Sequence, residues 1–207
     1  MTRSQRLIIV FGLIAAAALG AWWAARFLTP SKPPVTLRHG TLLAPGHPIG
    51  ALDLIDQNSQ PFTQTRLDGH WSLVYFGFTS CPMICPTTMA MLRDLARRLE
   101  TLPPEARPQV ILITVDPQTD TPPVIGRYVA AFSPTFLGLT GTQPALDAAA
   151  KRFSVAFGRS ANGTIDHSST IYVVDPQGAL AAVFTPPQTV GAIADDYRQL
   201  VGLPAGN

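Results

Sequence analysis

The chain has few cysteines, few charged residues and no cluster of basic side chains. Its 207 residues include 15 lysines and arginines, 13 aspartates and glutamates, four histidines and only two cysteines. Because opposite charges nearly balance and form no basic patch, nothing indicates a nucleic-acid-binding protein. The chain also lacks internal repeats and a glycine-rich phosphate loop. The informative feature is therefore the pair of cysteines.

Both cysteines fall in the stretch Cys81-Pro82-Met83-Ile84-Cys85-Pro86. A disulfide stabilises mainly by closing a long loop, so a bridge across three residues would contribute little. A purely structural bridge is thus a poor explanation for this spacing. The pair can hold one soft metal ion, form a small redox-active disulfide, or alternate between these two states.

The residues around the cysteines predict a strand, a short loop and a helix. The apolar run Trp71 to Phe78 is typical of a buried strand, and an amphipathic helix is predicted from Pro86 to Leu99. A residue before proline is pushed out of the helical region, which predicts that both thiols lie outside the helix. Cys85 would then occupy the cap position, where the helix dipole lowers a thiol pKa. This order matches thioredoxin-like redox sites, with three residues between the cysteines instead of two.

The N-terminus carries an uncharged run from Leu7 to Ala25, whose 19 residues are about long enough to cross a bilayer as a helix. We predict a membrane anchor over residues 1–27, a proline-containing linker over 28–44 and one domain over 45–207. A cleaved signal peptide is the alternative. No cysteine follows the run, so a lipoprotein anchor is not supported. A cytoplasmic N-terminus and an exported domain are expected, which places the thiols in an oxidising compartment.

The rest of the domain alternates strand-like and helix-like segments, which predicts an α/β fold with a mixed central sheet. The predicted strands and helices, in chain order, are a hairpin at 51–63, a strand at 110–115, a helix at 123–132, a strand at 136–139, a helix at 144–153, a hairpin at 171–184 and a helix at 190–201.

The four histidines differ in their settings. His39, His47 and His70 have the surroundings of solvated surface residues. His167 lies in a polar segment just before the late hairpin. In a thioredoxin-like topology that segment lies near the active-site loop, although a single loop histidine is by itself weak evidence for a ligand.

Several short motifs occur along the domain. They are Val74-Tyr75-Phe76-Gly77-Phe78-Thr79, Cys81-Pro82-Met83-Ile84-Cys85-Pro86-Thr87-Thr88, Thr114-Val115-Asp116-Pro117-Gln118-Thr119-Asp120-Thr121, Phe132-Ser133-Pro134, Leu137-Gly138-Leu139-Thr140-Gly141-Thr142, Asp166-His167-Ser168-Ser169-Thr170-Ile171-Tyr172 and Asp175-Pro176-Gln177-Gly178. Together these segments resemble the Sco/SenC family of copper-binding assembly proteins for cytochrome c oxidase. The resemblance covers about residues 45–202.

The resemblance implies a thioredoxin-like fold and a copper site, for Cu(I), Cu(II) or both, with Cys81, Cys85 and His167 as ligands. Two thiolates and an imidazole suit Cu(I), while zinc is a weaker possibility. The chain departs from the family pattern at Ser80 and Met83, where relatives often have His and Asp. We therefore expect the soft Met83 thioether to favour Cu(I).

The resemblance further implies a membrane-anchored copper metallochaperone that serves the dinuclear copper (CuA) centre of cytochrome c oxidase subunit II. It would be a single-pass protein of the inner membrane with its domain on the periplasmic side, with no nucleic-acid partner. The alternative is an enzyme, a thiol–disulfide oxidoreductase that keeps the subunit II cysteines reduced. Asp116 and Asp120 follow the predicted strand at 110–115. Turn or helix capping is their ordinary role, and tuning of the site is the other.

Overall fold

The chain forms two compact units, residues 1–35 and 36–207. The computed structural model describes residues 3–27, 35–43, 48–155, 157–159, 165–167 and 169–202. Residues 28–34 and 44 of the predicted linker, as well as His47, lie outside these residues. The first unit contains one helix, α1, Arg3–Phe27. In the described part of the chain, no helix combines the length and the apolar character needed to cross a membrane.

The second unit is built on an eight-stranded mixed sheet with the order β1-β10-β9-β4-β5-β6-β2-β3, beside a two-stranded sheet of β7 and β8. The strands are β1 Thr41–Leu42, β2 Leu54–Asp56, β3 Pro61–Phe62, β4 Ser72–Gly77, β5 Gln109–Thr114, β6 Leu137–Thr140, β7 Phe157–Arg159, β8 Ile165–His167, β9 Ile171–Val174 and β10 Leu180–Phe184. The central strand β4 runs parallel to β5 and antiparallel to β9. The α/β prediction is therefore confirmed.

Four helices pack on this sheet: α2 Ile84–Leu99, α3 Pro122–Ala130, α4 Gln143–Arg152 and α5 Val190–Leu200. Short 3-10 turns lie at Gln64–Arg66 and Pro104–Ala106. The apolar stripe predicted for α2 is buried, including Met89, Leu92 and Leu95, because helical spacing puts these side chains on one face.

The two faces of the sheet are covered differently, because successive strand residues point to opposite sides. We call one side the thiol face; it is covered by α2, α3 and α5 and includes Tyr75 and Cys85. We call the other the aromatic face; it is covered by α4 and by the segment 49–67, and it includes Phe76 and Phe153. Each face has its own buried cluster.

Two predictions about local structure are wrong. The helix after the thiols begins at Ile84 rather than Pro86, so Cys85 lies within its first turn. Proline is tolerated there because the N–H groups of the first turn have no partner inside the helix. In addition, His167 ends a strand, β8, which pairs with β7, whereas the sequence predicted a loop. The pairing of β7 with β8 is only three residues long, so the alternation of residues in the sequence is too short to indicate a strand.

Candidate metal centre

The two thiols lie where the central strand β4 passes into helix α2. β4 ends at Gly77, and Met83 occupies the N-cap position of α2. Both cysteines are free thiols, Cys85 buried and Cys81 half-buried. The backbone N–H of Cys85 donates a hydrogen bond to Sγ of Cys81 at 3.4 Å. The start of the helix therefore directs its unpaired N–H groups at the first cysteine rather than at the second.

Cys85 is sealed inside the thiol face. Its side chain is 0% exposed, and its Sγ accepts a hydrogen bond from the Tyr75 hydroxyl at 3.4 Å. Gly77 passes so close that a Cβ there would lie 2.8 Å from the Tyr75 ring and 3.0 Å from the Cys85 sulfur. The strand can approach the buried thiol only because this residue has no side chain.

The pKa values of the two thiols are shifted in opposite directions. Burial opposes ionisation of Cys81, but hydrogen bonds from backbone N–H groups, led by that of Cys85, outweigh it and lower the pKa of Cys81. Burial raises the pKa of Cys85 to about 12, although the Tyr75 hydroxyl favours its thiolate. The prediction of a lowered pKa at Cys85 is therefore wrong. The helix N-terminus acts on Cys81, while desolvation dominates at Cys85.

A buried carboxylate fixes the segment that leads into the thiols. Asp120 is 0% exposed. It accepts hydrogen bonds from the backbone N–H of Thr79 at 3.0 Å and from the hydroxyls of Thr79 and Thr114. Since Thr79 lies two residues before Cys81, Asp120 sets the path of segment 78–83 between β4 and α2, which we call the thiol loop. Its role goes beyond helix capping, because it holds another loop from 41 residues away.

The sequence contains only an indirect signal for the contact between Asp120 and Thr79. The carboxyl ends of the parallel strands β4 and β5 meet at the same edge of the sheet. The thiol loop follows β4, and the loop with Asp116 and Asp120 follows β5, so the two loops are neighbours. The role of Tyr75 carried no such signal, because a tyrosine in a buried strand is usually a packing residue.

His167 is placed only through its backbone. It pairs with Phe157 in the β7–β8 ladder, and its side chain lies outside what the structure describes. Two residues later, Ser169 lines a cleft of about 290 Å³ together with Met83, at the end of the thiol loop, and Ile84, the first residue of α2. The carbonyl of Ser169 accepts a hydrogen bond from the Gln188 side chain at 2.9 Å, which fixes this end of the segment. The chain that follows His167 therefore borders the thiol loop.

The sequence predicted surface positions, not ligand roles, for the remaining histidines. His39 and His70 are exposed, in keeping with the sequence prediction. Among the side chains that the structure describes, no group of three or more His, Cys, Asp or Glu residues is placed to hold a metal ion. The ligand set Cys81, Cys85 and His167 therefore stays a prediction, with two of its three members in adjacent positions.

Comparison with known proteins gives consistent results. The family model described as SCO1/SenC matches residues 44–202. The SCO2-like protein RP587 of Rickettsia prowazekii is 35% identical over 179 residues, which cover 84% of this chain and 85% of that protein.

Solved structures show the same similarity. Yeast Sco1 with copper bound is 32% identical, with a TM-score of 0.66 over 73% of this chain and 87% of that one. BsSco, described as a member of the Sco family of cytochrome c oxidase assembly proteins, shares the fold at 23% identity, with a TM-score of 0.65 over 79% of this chain and 99% of that one.

Proposed function

The chain belongs to the SCO1/SenC family, and from that premise we propose that it is a membrane-anchored copper metallochaperone. The predicted family and the thioredoxin-like Sco fold are confirmed, and the family is one of cytochrome c oxidase assembly proteins. This chain would take up copper through Cys81, Cys85 and His167 and pass it to the CuA centre of oxidase subunit II. The observation that carries the proposal is the free thiol pair at the β4–α2 junction.

The thiol pair suits an ion that must be both held and released. Thiolates are soft donors that select Cu(I), and copper is bound in the solved structure of yeast Sco1. The half-buried Cys81, whose pKa is lowered, can meet an incoming or outgoing ligand first. Cys85 lies behind it as the protected second donor. Transfer would then proceed by stepwise ligand exchange that starts at the accessible sulfur.

His167 is the third donor in this proposal. Support comes from Ser169, which lies two residues beyond His167 and lines the same cleft as Met83 and Ile84. An imidazole that reached the pair from this side would complete a three-coordinate site of two sulfurs and one nitrogen. Such a set is chemically suited to copper.

The proposal also includes an anchor in the inner membrane and a domain on the periplasmic side. It is supported by the uncharged sequence from Leu7 to Ala25, which Arg3 and Arg6 precede. The test is membrane fractionation of cells combined with protease treatment of spheroplasts. Release of the whole chain by alkaline carbonate, or protection of the domain from protease in spheroplasts, would contradict this part.

A second candidate function is thiol–disulfide exchange, and the unequal acidity of the thiols favours it. Cys81, with the lowered pKa, would attack a partner disulfide and form a mixed disulfide. Cys85 would then attack Cys81 Sγ, lose its proton and release the partner as a dithiol. The protein would end as a disulfide and need a cellular dithiol to regenerate it.

Anaerobic titration of the purified full-length chain with Cu(I), against a chromophoric chelator, separates the two functions. We expect one tightly bound Cu(I) per chain, with strong losses in Cys81→Ser and His167→Ala. His70→Ala is the matched control, because this histidine is exposed, and it should bind like the wild type. No stoichiometric binding, together with rapid reduction of a subunit II disulfide, would contradict the metallochaperone proposal.

Met83 provides a way to examine the preference for the oxidation state of copper. Its side chain is 73% exposed at the N-cap of α2. A carboxylate introduced by Met83→Asp should stabilise Cu(II) and lower the copper reduction potential. Met83→Asn adds polarity without charge and is the control. An unchanged or raised potential in the Asp variant would contradict the predicted bias toward Cu(I).

A further inference from the structure

Asp196, in helix α5, is a buried carboxylate that the proposed function does not use. It is 0% exposed, and three consecutive backbone N–H groups donate hydrogen bonds to it. Arg38 donates to Oδ1 at 2.9 Å, while His39 and Gly40 donate to Oδ2 at 2.7 Å and 2.8 Å. These donors lie 156 to 158 residues away along the chain. A side chain of the last helix therefore holds the first residues of the domain.

The carboxylate of Asp196 is stabilised by backbone N–H groups rather than by a cation. In the described part of the chain the ion pairs are Arg66–Asp56 and Arg93–Asp94, so Asp196 has no charged partner there. Successive backbone N–H groups that point to one place form a concavity that binds an anion. Hydrogen bonds to an ionised acceptor are about twice as strong as bonds between neutral groups. The contact therefore depends on the charge of this side chain and not only on its packing.

The residues on both sides of this contact also lie on the domain. Gly40 lies against Phe184, and a Cβ at this position would come within 2.5 Å of the ring. Directly after Gly40, β1 pairs with β10, and the N–H of Leu43 donates to a carbonyl of β10 at 2.9 Å. Before it, Leu37 packs against the buried cluster of the thiol face. We call residues 37–43 the entry strap.

The entry strap determines how many residues separate helix α1 from the domain. Helix α1 ends at Phe27, so ten residues, 28–37, precede the first N–H group that Asp196 binds. A segment of ten residues spans at most about 36 Å. Beyond the strap, the next pairing with the sheet that the structure describes joins Pro48 to Ala179. If the strap came away up to that pairing, twenty residues, 28–47, would intervene, and the upper limit would double.

We propose that Asp196 is a latch, which holds the entry strap on the domain and so limits how far the copper site reaches from the membrane. The inference rests on the proposed function, because a limit on reach has meaning only for an anchored chain. A shorter tether raises the effective concentration of the copper site at a partner in the same membrane. Once a tether is longer than the span it bridges, doubling its length lowers this concentration roughly 3-fold.

The first test is hydrogen exchange of the full-length chain in detergent, measured by mass spectrometry of its peptides. Asp196→Asn keeps the size of the side chain but removes its charge and one acceptor. Exchange in the entry strap should become roughly 10- to 100-fold faster, while β4 keeps its wild-type rate. The matched control is Asp147→Asn, because that carboxylate accepts a hydrogen bond from Gln143 of its own helix at 2.9 Å. It should leave the strap unchanged.

The second test measures Cu(I) transfer in vesicles that contain the full-length chain and oxidase subunit II. Asp196→Asn should slow transfer roughly 3-fold, while the Cu(I) affinity of the chain, measured by chelator competition, stays at the wild-type value. Ten Gly and Ser residues inserted after Thr29 of the wild-type chain should slow transfer to the same extent, because they double the tether and leave Asp196 in place. Asp147→Asn should transfer copper like the wild type.

Three outcomes would contradict the latch or its effect. A strap that exchanges at the wild-type rate in Asp196→Asn, or a β4 that speeds up equally, would show that Asp196 holds either nothing or the whole fold. A loosened strap with unchanged or faster copper transfer would show that the latch does not limit reach. If the wild type fails to bind Cu(I) or to stay in vesicles, the proposed function is wrong. Hydrogen exchange then decides alone, because it needs neither copper nor a membrane.

Discussion

The two faces of the central sheet differ in chemistry although they share the same strands. Tyr75 and Phe76 are neighbours in β4, are both fully buried and have rings of the same size. Tyr75 points to the thiol face and donates a hydrogen bond to Cys85. Phe76 points to the aromatic face, where it makes edge contacts with Phe153 at 5.3 Å and Tyr172 at 6.0 Å. Because only Tyr75 has a hydroxyl group, it can contact the thiol site, whereas Phe76 serves as a core residue.

This difference between the two faces assigns stability mainly to one face and thiol chemistry to the other. The aromatic face supplies stability through close contacts of apolar rings, each worth more than its buried area alone. The thiol face buries a thiol and, among the described residues, leaves the shielded Tyr128 hydroxyl without a hydrogen-bond partner, which costs stability. We therefore expect changes on the aromatic face to alter stability alone. Changes near the thiols should alter both stability and chemistry.

The largest effect is expected from Phe153→Ala, which tests whether the aromatic face contributes to stability alone. The change removes a fully buried ring and should lower the free energy of unfolding by about 3–5 kcal/mol. Urea unfolding measures this loss. Copper affinity of the folded fraction, measured well below the unfolding midpoint, should stay at the wild-type value. A loss of affinity parallel to the loss of stability would mean that the two faces are coupled.

Asp120→Ala should lower both the free energy of unfolding and the copper affinity. Its removal leaves three donors, two from half-buried Thr79 and one from buried Thr114, without their acceptor, which should cost about 3 kcal/mol. The freed Thr79 loosens the thiol loop, so copper affinity should fall as well. Asp53→Ala changes an exposed aspartate and serves as the control for charge. Wild-type copper affinity in Asp120→Ala would show that the contact serves stability alone.

The thiol face itself predicts unequal reactivity of its two cysteines. The pKa of Cys81 is lowered, and that of Cys85 is raised to about 12. Since the thiolate is the reactive form, iodoacetamide at pH 8 should modify Cys81 roughly 100-fold faster or more. Mass spectrometry of partly alkylated native protein measures the ratio, and denatured protein should show near-equal rates. Equal rates in the native state would contradict the assigned acidities.

The smallest expected effect concerns a helix cap on the aromatic face. Thr142 caps α4 by accepting a hydrogen bond from the Ala145 N–H at 3.4 Å. Thr142→Ala should lower the free energy of unfolding by about 1 kcal/mol with no change in copper affinity. The matched control is Thr121→Ala, because Thr121 stands at the N-cap of α3 without a side-chain cap bond. Equal losses of unfolding free energy in the two variants would show that the Thr142 cap bond is not the cause.

Much of the fold could be predicted from the pattern of apolar residues. The strands β4 and β5, both hairpins and the helices α3 to α5 lie within three residues of the predicted bounds. Their signals are local, because side-chain period and turn chemistry act over a few residues. The start of α2 was misplaced because a proline in the first helical turn gives the same signal as a proline at the first position.

The site was harder to predict because its energetics depend on distant groups. Spacing alone identified Cys81 and Cys85 as a functional pair, but the predicted lowering of the Cys85 pKa is wrong. Burial in the core raises the pKa of Cys85, and the backbone N–H of Cys85 points to the Cys81 sulfur. Neither effect is visible in the local sequence, because it depends on where the helix begins and what covers it.

The sequence by itself determined the order of strands and helices, the closely spaced thiols and, through its motifs, the family. These properties depend on neighbours along the chain. Only the tertiary structure decided which thiol ionises and which groups surround the pair. Asp120 binds Thr79 across 41 residues of the chain, and Tyr75 contacts the Cys85 sulfur from the central strand. Their positions follow from the packing of parallel strands and helices, which brings distant side chains to one edge of the sheet.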